Sequence, residues 1–389
     1  MAAGNVAAAL LLFLSLGSAC SGGGPAPPTA TPSPTPTPQP TATATPTPAP
    51  QPETAPPARD LMDLARRFLG LPADAPRVAR TTPLDLSVGS SQQFTLVDLN
   101  APSIYHITAT VRSITDHAYF FVEDGVDFSP ATLDSIAGDF ETKVYPQVSA
   151  AFGRDWSPGV DGDPRITILH ARLRGAGGYV TASDEFPIAA VPYGNEREML
   201  YLDASSLSSP GAPYNALVAH ELQHLVHQNA DPDEDAWVNE GLSQVAAELF
   251  GGGVSGVGAF LAAPDTQLNY WPPEGETAVH YAASELFCGY LLDRFGGRDQ
   301  AYRFLQVPED GIAGVDAYLK GFGTTFLDVF ADWLAANYLD EESGPYSHAG
   351  IDARTATVTT VPTTGEGEGS VHQFAADYLE IEPPAGGAT

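Results

Sequence analysis

The sequence predicts an α+β protein whose strands come early in the chain and whose helices follow. Three stretches between residues 86 and 124 are rich in β-branched and aromatic residues and are bounded by turn residues, as strands are: QQFTLVDL, SIYHITATVRSI and HAYFFVED. Further on, apolar residues recur at helical spacing around His220 and again at 277–295 and 325–339. Such an order is typical of a mixed β-sheet joined to a mainly helical part.

Shorter elements lie between these regions. Residues 60–69 indicate a short helix and residues 130–152 a longer one. Asp161-Gly162-Asp163-Pro164 marks a turn before the strand-like RITIL, and MLYLDA is a further strand just before the helix that contains His220. The turn could hold calcium, although most Asp-Gly-Asp turns are only turns.

Composition and charge limit the classes of function. A hydrophobic content of 43% supports a globular protein with a sizeable core. The net charge is −31 and the only lysines are Lys143 and Lys320, which argues against binding to nucleic acid or to an anionic membrane surface. Cys20 and Cys288 are the only cysteines, so no disulfide framework is expected. Cys288 lies on an apolar helix and is interpreted as a buried small residue.

The N-terminus predicts export. Residues 1–20 contain an apolar run, VAAALLLFLSL, that is short for a membrane span and is followed by Gly17-Ser18-Ala19-Cys20. This resembles a bacterial lipoprotein processing site, at which Cys20 would carry the lipid. The first residues lack Lys and Arg and Gly17 stands where such sites usually have Leu, so an ordinary signal cleaved near Ala19 is the alternative. Residues 21–58 are rich in Pro and Thr and predict an extended, disordered spacer.

The chemistry is expected at His220-Glu221-Leu222-Gln223-His224. On a helix, residues four apart lie about 6 Å apart along the axis on one face, so both histidines can reach one metal ion. Imidazole suits Zn²⁺, which in catalytic sites takes three protein ligands and a water. Glu221 lies between the two histidines, where its carboxylate can take a proton from that water and return it to a leaving amine. This is the HExxH arrangement of metalloproteases.

A third ligand is expected from the following helix. Glu240 comes sixteen residues after His224, in WVNEGLS, at the start of a second apolar-periodic helix that stops at residues 251–253. Gly241 has no side chain at a point where two helices must approach closely. His227 is the competing ligand on the face of His220, but it lies about 4.5 Å beyond His224 along the axis, so we interpret it as a neighbouring or surface residue.

HELQH followed by WVNEGLS resembles the gluzincin metallopeptidases, and most of all the hyicolysin-type peptidases of bacteria. The likeness extends to HYAAS at 280–284 and to DGDPRITIL upstream, and covers roughly residues 100 to 340. It implies a zincin-like fold and one catalytic Zn²⁺, with the ligand and base roles on the matching residues: His220, His224 and Glu240 as ligands, and Glu221 as general base. In this group a Tyr or His commonly stabilises the oxyanion. Tyr281 is the first candidate here and His280 the second.

This resemblance predicts how the rest of the chain is divided. We expect an N-terminal β-rich segment at 59–125, a zincin N-terminal lobe with the HExxH helix at 126–230, a helical C-terminal lobe at 231–342 and a strand-like tail at 343–389. Gly296-Gly297 closes the apolar helix of the C-terminal lobe. A substrate chain can pair with the exposed sheet edge of such an N-terminal lobe.

The sequence therefore predicts a zinc-dependent endopeptidase that acts as a monomer on protein or peptide substrates, lipid-anchored on the outer side of the bacterial cell membrane or otherwise secreted. One alternative is a catalytically silent, surface-tethered binding or adhesion protein on the same scaffold, although Glu221 and the ligands are intact. Another is an aminopeptidase or small-ester hydrolase, which would need an acidic anchor such as Glu196 or Glu185. Calcium binding at Asp231 to Asp235 stays open.

Overall fold

The computed structural model describes residues 60–381, apart from residues 102, 254–255, 273–276, 356 and 363–366. The predicted export signal at 1–20, the predicted linker at 21–58 and the predicted lipid at Cys20 lie outside these described residues. Within the described part of the chain, no helix combines the length and the apolar character that crossing a membrane requires.

One mixed sheet of six strands organises the first half of the chain. Its strands are β1 Ser91–Asp98, β2 Ser103–Ile114, β3 Ala118–Glu123, β4 Ile166–Ala171, β5 Gly178–Tyr179 and β6 Met199–Asp203. Their spatial order is β1-β2-β3-β4-β6-β5. β3, β4 and β6 run parallel to one another, whereas β1, β2 and β5 pair antiparallel with their neighbours. The two-residue β5 therefore forms one edge of the sheet.

Both faces of the sheet are covered, and the alternation of side chains along each strand decides which face a residue serves. Phe120, Leu200 and Leu202 belong to the large core that the sheet shares with the helices. Phe121 and Tyr201, one position away in their strands, pack in a second core on the opposite face. This double burial explains why β3 and β4 are apolar at nearly every position rather than alternating.

Helices follow and flank the sheet. The α-helices of the described residues are α1 Leu61–Phe68, α2 Pro130–Asp139, α3 Tyr145–Phe152, α4 Ala212–Ala230, α5 Ala236–Glu248, α6 Val257–Ala262, α7 Ala278–Arg294, α8 Gly311–Leu319 and α9 Phe326–Leu339. A single π-helical turn at Phe140–Val144 joins α2 to α3, so the predicted helix 130–152 is confirmed as one helical stretch. The mixed sheet and these helices are consistent with the α+β class.

Helix α5 has two helical neighbours, one of which, α4, contains the HExxH segment. α5 packs against both α4 and α7. Gly241 of α5 is needed at the second contact, because a Cβ there would lie 2.6 Å from Sγ of Cys288 and 2.7 Å from the carbonyl oxygen of Ser284. The predicted close approach of two helices at Gly241 is thus confirmed, and Cys288 is buried as expected.

The predicted division at residue 125 falls between β3 and β4, which are neighbours in the one sheet. The segment boundaries at 59–125, 126–230, 231–342 and 343–389 stay predictions. In the last of these segments, β7 Thr359–Val361 and β8 Leu379–Ile381 form a small parallel pair.

Candidate metal centre

Helix α4 carries His220 and His224 on one buried face. Val218, Leu222 and Leu225 lie on the opposite face of the helix, in the core between sheet and helices. One helical turn separates the two histidines, and their rings stand nearly perpendicular. The two Nε2 atoms approach to 3.0 Å.

Glu240 completes the group from the second turn of α5, which begins at Ala236 and not, as predicted, at Glu240. Its Oε2 lies 3.5 Å from Nε2 of His220 and 3.4 Å from Nε2 of His224. All three side chains are buried, and their ligand atoms are close enough together to hold a metal ion. Tetrahedral ligands at bond lengths of about 2.0–2.1 Å lie about 3.3–3.4 Å from one another, which is the spacing of these three atoms to within a few tenths of an ångström.

The charges of this group favour a cation beside Glu240. Burial alone opposes ionisation of the Glu240 carboxyl, but the adjacent imidazoles of His224 and His220 outweigh it and lower its pKa to about 2. Burial likewise opposes protonation of His224, and the Glu240 carboxylate reverses that effect and raises its pKa to about 9. The pocket thus stabilises positive charge where a metal ion would lie.

Residues of α5 fix the orientation of His224. Nδ1 of His224 donates to Oδ1 of Asn239 at 2.5 Å, since an amide oxygen can only accept, and Oγ of Ser243 lies 3.0 Å from the same nitrogen. With the proton on Nδ1, the lone pair of Nε2 is directed at the metal position. The sequence alone did not select among Asn239, Ser243, Gln244 and Glu248. Glu248 instead pairs with Arg298.

Glu221 presents a carboxylate with an unused oxygen. The side chain is 4% exposed, and its Oε2 has no hydrogen-bond partner among the residues described. Burial raises its pKa, against the opposing effect of His220 and His224. A buried carboxylate that no protein donor occupies can accept a proton from a water molecule.

Gly178 makes room for that carboxylate and was missed in the sequence. A Cβ at Gly178 would lie 2.5 Å from Oε1 of Glu221 and 3.1 Å from the carbonyl oxygen of Tyr201. The edge strand β5 and the Glu221 carboxylate are therefore in direct contact. The available signal was Gly177-Gly178 at the start of an extended stretch, because glycine in a strand marks a close approach.

Tyr281 and His280, the two candidates for stabilising the oxyanion, have different surroundings. The ring of Tyr281, which is buried, is centred 6.3 Å from the ring of His220. His280 faces away, toward the rings of Tyr270 and Trp271. Burial lowers the pKa of His280, and hydrogen bonds to the backbone of residues 267 and 270 oppose that effect. Of the pair, only Tyr281 lies beside a member of the metal group.

The competing ligand His227 is buried but lies outside the group formed by His220, His224 and Glu240. Burial lowers its pKa to about 3, so its ring is neutral. It lies instead near Asp231 and Glu234.

The acidic residues that the sequence suggested for calcium binding or for anchoring a substrate amine either have protein partners or lie away from the metal group. Asp163 accepts from the hydroxyl of Tyr119 at 2.8 Å and from the backbone of Arg165, so protein donors hold the Asp-Gly-Asp turn. Glu196 pairs with Arg80 at 2.9 Å. Glu185 lines a cavity of about 860 Å³ to which none of the three grouped ligands contributes.

No protein-family model matches the chain, and no curated protein matches its sequence.

Proposed function

We propose that the protein is a zinc-dependent endopeptidase of the gluzincin type with a zincin-like fold. The observation that carries the proposal is the buried triangle of His220, His224 and Glu240, beside which Glu221 holds an oxygen that no described protein donor occupies. Three ligands and an adjacent carboxylate base are what metal-assisted hydrolysis of a peptide bond requires.

Zinc is the proposed metal because of the donor set and its spacing. Two imidazole nitrogens and one carboxylate oxygen suit Zn²⁺, and the separations of 3.0, 3.4 and 3.5 Å fit tetrahedral coordination. When bound, Zn²⁺ supplies a Lewis acid that polarises the scissile carbonyl and lowers the pKa of water.

The side chains of the site divide the remaining work. Glu221 removes a proton from the attacking water and then delivers it to the amine nitrogen as the peptide bond breaks. Asn239 accepts a hydrogen bond from Nδ1 of His224, so Nε2 is the nitrogen that would bind the metal. The phenol of Tyr281 is the proposed hydrogen-bond donor to the carbonyl oxygen as it gains negative charge.

A protein or peptide substrate is proposed to bind along β5. This strand is at the sheet edge, and its Gly178 touches Glu221, so a chain paired with it would pass over the catalytic carboxylate. Cavities lie near both ends of β5, one of about 250 Å³ lined by Gly177 and one of about 860 Å³ lined by Ala182. Neither cavity is lined by a member of the metal group, and Glu196, one of the acidic anchors that an aminopeptidase would need, is paired with Arg80.

The proposed setting is outside the bacterial cell, which the N-terminal sequence supports. Cys20 follows an apolar run with small residues before it, and the Pro/Thr-rich stretch would hold the enzyme away from a lipid anchor. A silent binding protein is the second candidate in principle, but the intact Glu221 and its three neighbouring ligands give it no support.

The test is metal content measured together with hydrolysis of unfolded casein, with and without a chelator. We expect cleavage at internal bonds that the chelator stops and that stoichiometric Zn²⁺ restores. A zinc-loaded protein that cleaves no protein substrate would contradict the proposed activity, and a protein without affinity for zinc would contradict the site.

A further inference from the structure

A second cluster of metal-binding side chains lies at the C-terminal end of α4. One ring nitrogen of His227 and one carboxylate oxygen from each of Asp231 and Glu234 all lie within 4.8 Å of one another. His227 is only 1% exposed. We infer that this cluster binds a second divalent cation of the kind that imidazole ligates, Zn²⁺ or Mn²⁺.

The distances leave room for such a cation. In a triangle with sides of 4.8 Å or less, there is a central point that lies no more than about 2.8 Å from every corner, and bonds from imidazole or carboxylate to such cations are about 2.0–2.3 Å. Shifts of about half an ångström by each side chain therefore close the site. His227, Asp231 and Glu234 are separated by four and three residues, so one helix end and the turn after it supply every ligand.

Negative charge accumulates around the same point. Asp233 and Asp310 form an overlapping group with Asp231. Among the described residues, no basic side chain lies within 4.0 Å of these three carboxylates, and none lies within 4.0 Å of Glu234. Burial, together with repulsion from Asp310 and Asp233, raises the pKa of Asp231 to about 6, and burial raises that of Glu234 to about 8. A cation would relieve both the burial penalty and the repulsion.

The imidazole distinguishes this cluster from a solvated acidic turn. Nδ1 of His227 lies 3.3 Å from the side-chain nitrogen of Gln223, whereas Nε2 takes no part in that contact. Nε2 is therefore the nitrogen available to a cation. Because Ca²⁺ prefers oxygen ligands and imidazole suits transition-metal cations, the buried nitrogen selects Zn²⁺ or Mn²⁺.

Gln223 connects this cluster to the first metal group. Its oxygen accepts from Oγ of Ser243, which also contacts Nδ1 of His224 at 3.0 Å. A cation on Nε2 of His227 places the proton on Nδ1, which then donates to an amide oxygen. Rotating the Gln223 amide by half a turn provides that oxygen and lets the amide nitrogen donate to Ser243. A cation at the second site would therefore affect His224, a ligand of the first group, through one rotation of the Gln223 side chain.

Glu234 also ties the cluster to the helical half. Its Oε1 accepts from the backbone nitrogen of Gly311, the first residue of α8, at 2.7 Å. A cation on Glu234 would therefore hold together the end of α4, the turn before α5 and the start of α8. The first two of these segments connect the helix of His224 to the helix of Glu240.

The experiment counts cations on the full protein. Metal is stripped with a chelator, the protein is dialysed against Zn²⁺ or against Mn²⁺, and bound metal is measured by mass spectrometry of the elements. The variants are His227→Ala, Asp231→Asn and Glu234→Gln, each checked for folding by circular dichroism. Glu309→Gln is the matched control, because it removes one negative charge from an exposed position beside Asp310. Glu240→Ala reports on the first group separately.

We expect two cations per chain in the unchanged protein and in Glu309→Gln, and one in each of the three cluster variants, with affinity for the second cation reduced about 100-fold. Glu240→Ala should retain the second cation, so failure of the zinc site and failure of this inference are distinguishable. A single cation in the unchanged protein that is lost in Glu240→Ala, or two cations in a folded His227→Ala, would overturn the inference. Calcium bound equally well with and without His227 would overturn the proposed ligand set.

Discussion

His224 donates its Nδ1 proton to Oδ1 of Asn239 across 2.5 Å, and Asn239 is the residue immediately before Glu240. Two consecutive residues of α5 therefore act on the same site. Glu240 supplies the carboxylate of the triangle, and Asn239 orients the imidazole of His224. A small rotation of α5 would disturb both at once, which explains why Gly241 and its tight contact with α7 matter to the metal group.

Replacing Asn239 should weaken the metal site without emptying it. In Asn239→Ala, His224 loses the acceptor that holds its proton on Nδ1, and we expect zinc affinity to fall about 10- to 100-fold. Competition with a chromogenic chelator measures this. Gln244→Ala, on the same helix but outside the contacts to His224, is the control and should bind zinc normally. Equal affinity in Asn239→Ala and Gln244→Ala would argue against the orienting role.

Gly178 should be essential for hydrolysis but not for metal binding. In Gly178→Ala the new methyl group would lie 2.5 Å from Oε1 of Glu221, so the carboxylate must move away from its position. A displacement of about 1 Å in a catalytic group lowers the rate about 100-fold. We expect that loss in kcat with normal zinc content. Gly177→Ala is the matched control, since nothing lies within 4 Å of a Cβ there. Normal activity in Gly178→Ala would contradict the assignment of Glu221 as base.

Loss of Glu240 should empty the first metal group. Without its carboxylate, only two neutral imidazoles remain, and we expect Glu240→Ala to lose at least about 100-fold in zinc affinity and all measurable hydrolysis. Glu248→Ala, two turns further along α5, removes a carboxylate paired with Arg298 and should keep its zinc. Elemental analysis after dialysis compares the two. A zinc-loaded Glu240→Ala protein would require another third ligand.

Glu185 should make the protein less stable at alkaline pH. Burial, then repulsion from Glu198, raises its pKa to about 8 from an ordinary value of 4.5. Between these two pH values the folded protein retains a proton that the unfolded chain releases, so the free energy of unfolding falls as pH rises. We expect Glu185→Gln to unfold less readily at pH 8.5, by about 1–3 kcal/mol, with little change near pH 4.

Urea unfolding at several pH values measures the effect of Glu185. Glu196→Gln is the control, because Glu196 already pairs with Arg80 and its replacement should lower stability instead. Identical pH slopes in Glu185→Gln and the unchanged protein would show that the Glu185 carboxyl does not titrate in this range.

The local parts of the site could be predicted from sequence, because helix geometry fixes them. His220 and His224 lie one turn apart in any α-helix, and a short turn leading into a second helix brings Glu240 within reach. Gly241 also indicated a close contact between helices, because glycine has no side chain to keep them apart. The strands β1 to β4 and β6 were also predictable, since their composition is dominated by β-branched and aromatic residues.

The parts that depend on how elements pack were not predictable. Whether Asn239, Ser243 or Glu248 contacts His224 depends on the rotation of α5 about its own axis. Gly178 meets Glu221 only because β5 joins the sheet beside β6, a pairing that local sequence does not encode.

His280 and Tyr281 differ for a similar reason. Consecutive helical residues point about 100° apart, so only one of the two can lie beside His220. The sequence identified both residues as candidates, and the packing of α7 determines that Tyr281 is the one beside His220.

The decisive measurement is the comparison of Glu221→Gln with the unchanged protein in zinc content and in cleavage of unfolded casein. The amide keeps the shape of the side chain but cannot take up a proton. We predict about one zinc in the group of His220, His224 and Glu240 in both proteins, with hydrolysis lower in Glu221→Gln by about 10²- to 10⁴-fold. Casein cleavage at an unchanged rate by a zinc-loaded Glu221→Gln protein would contradict the proposed mechanism.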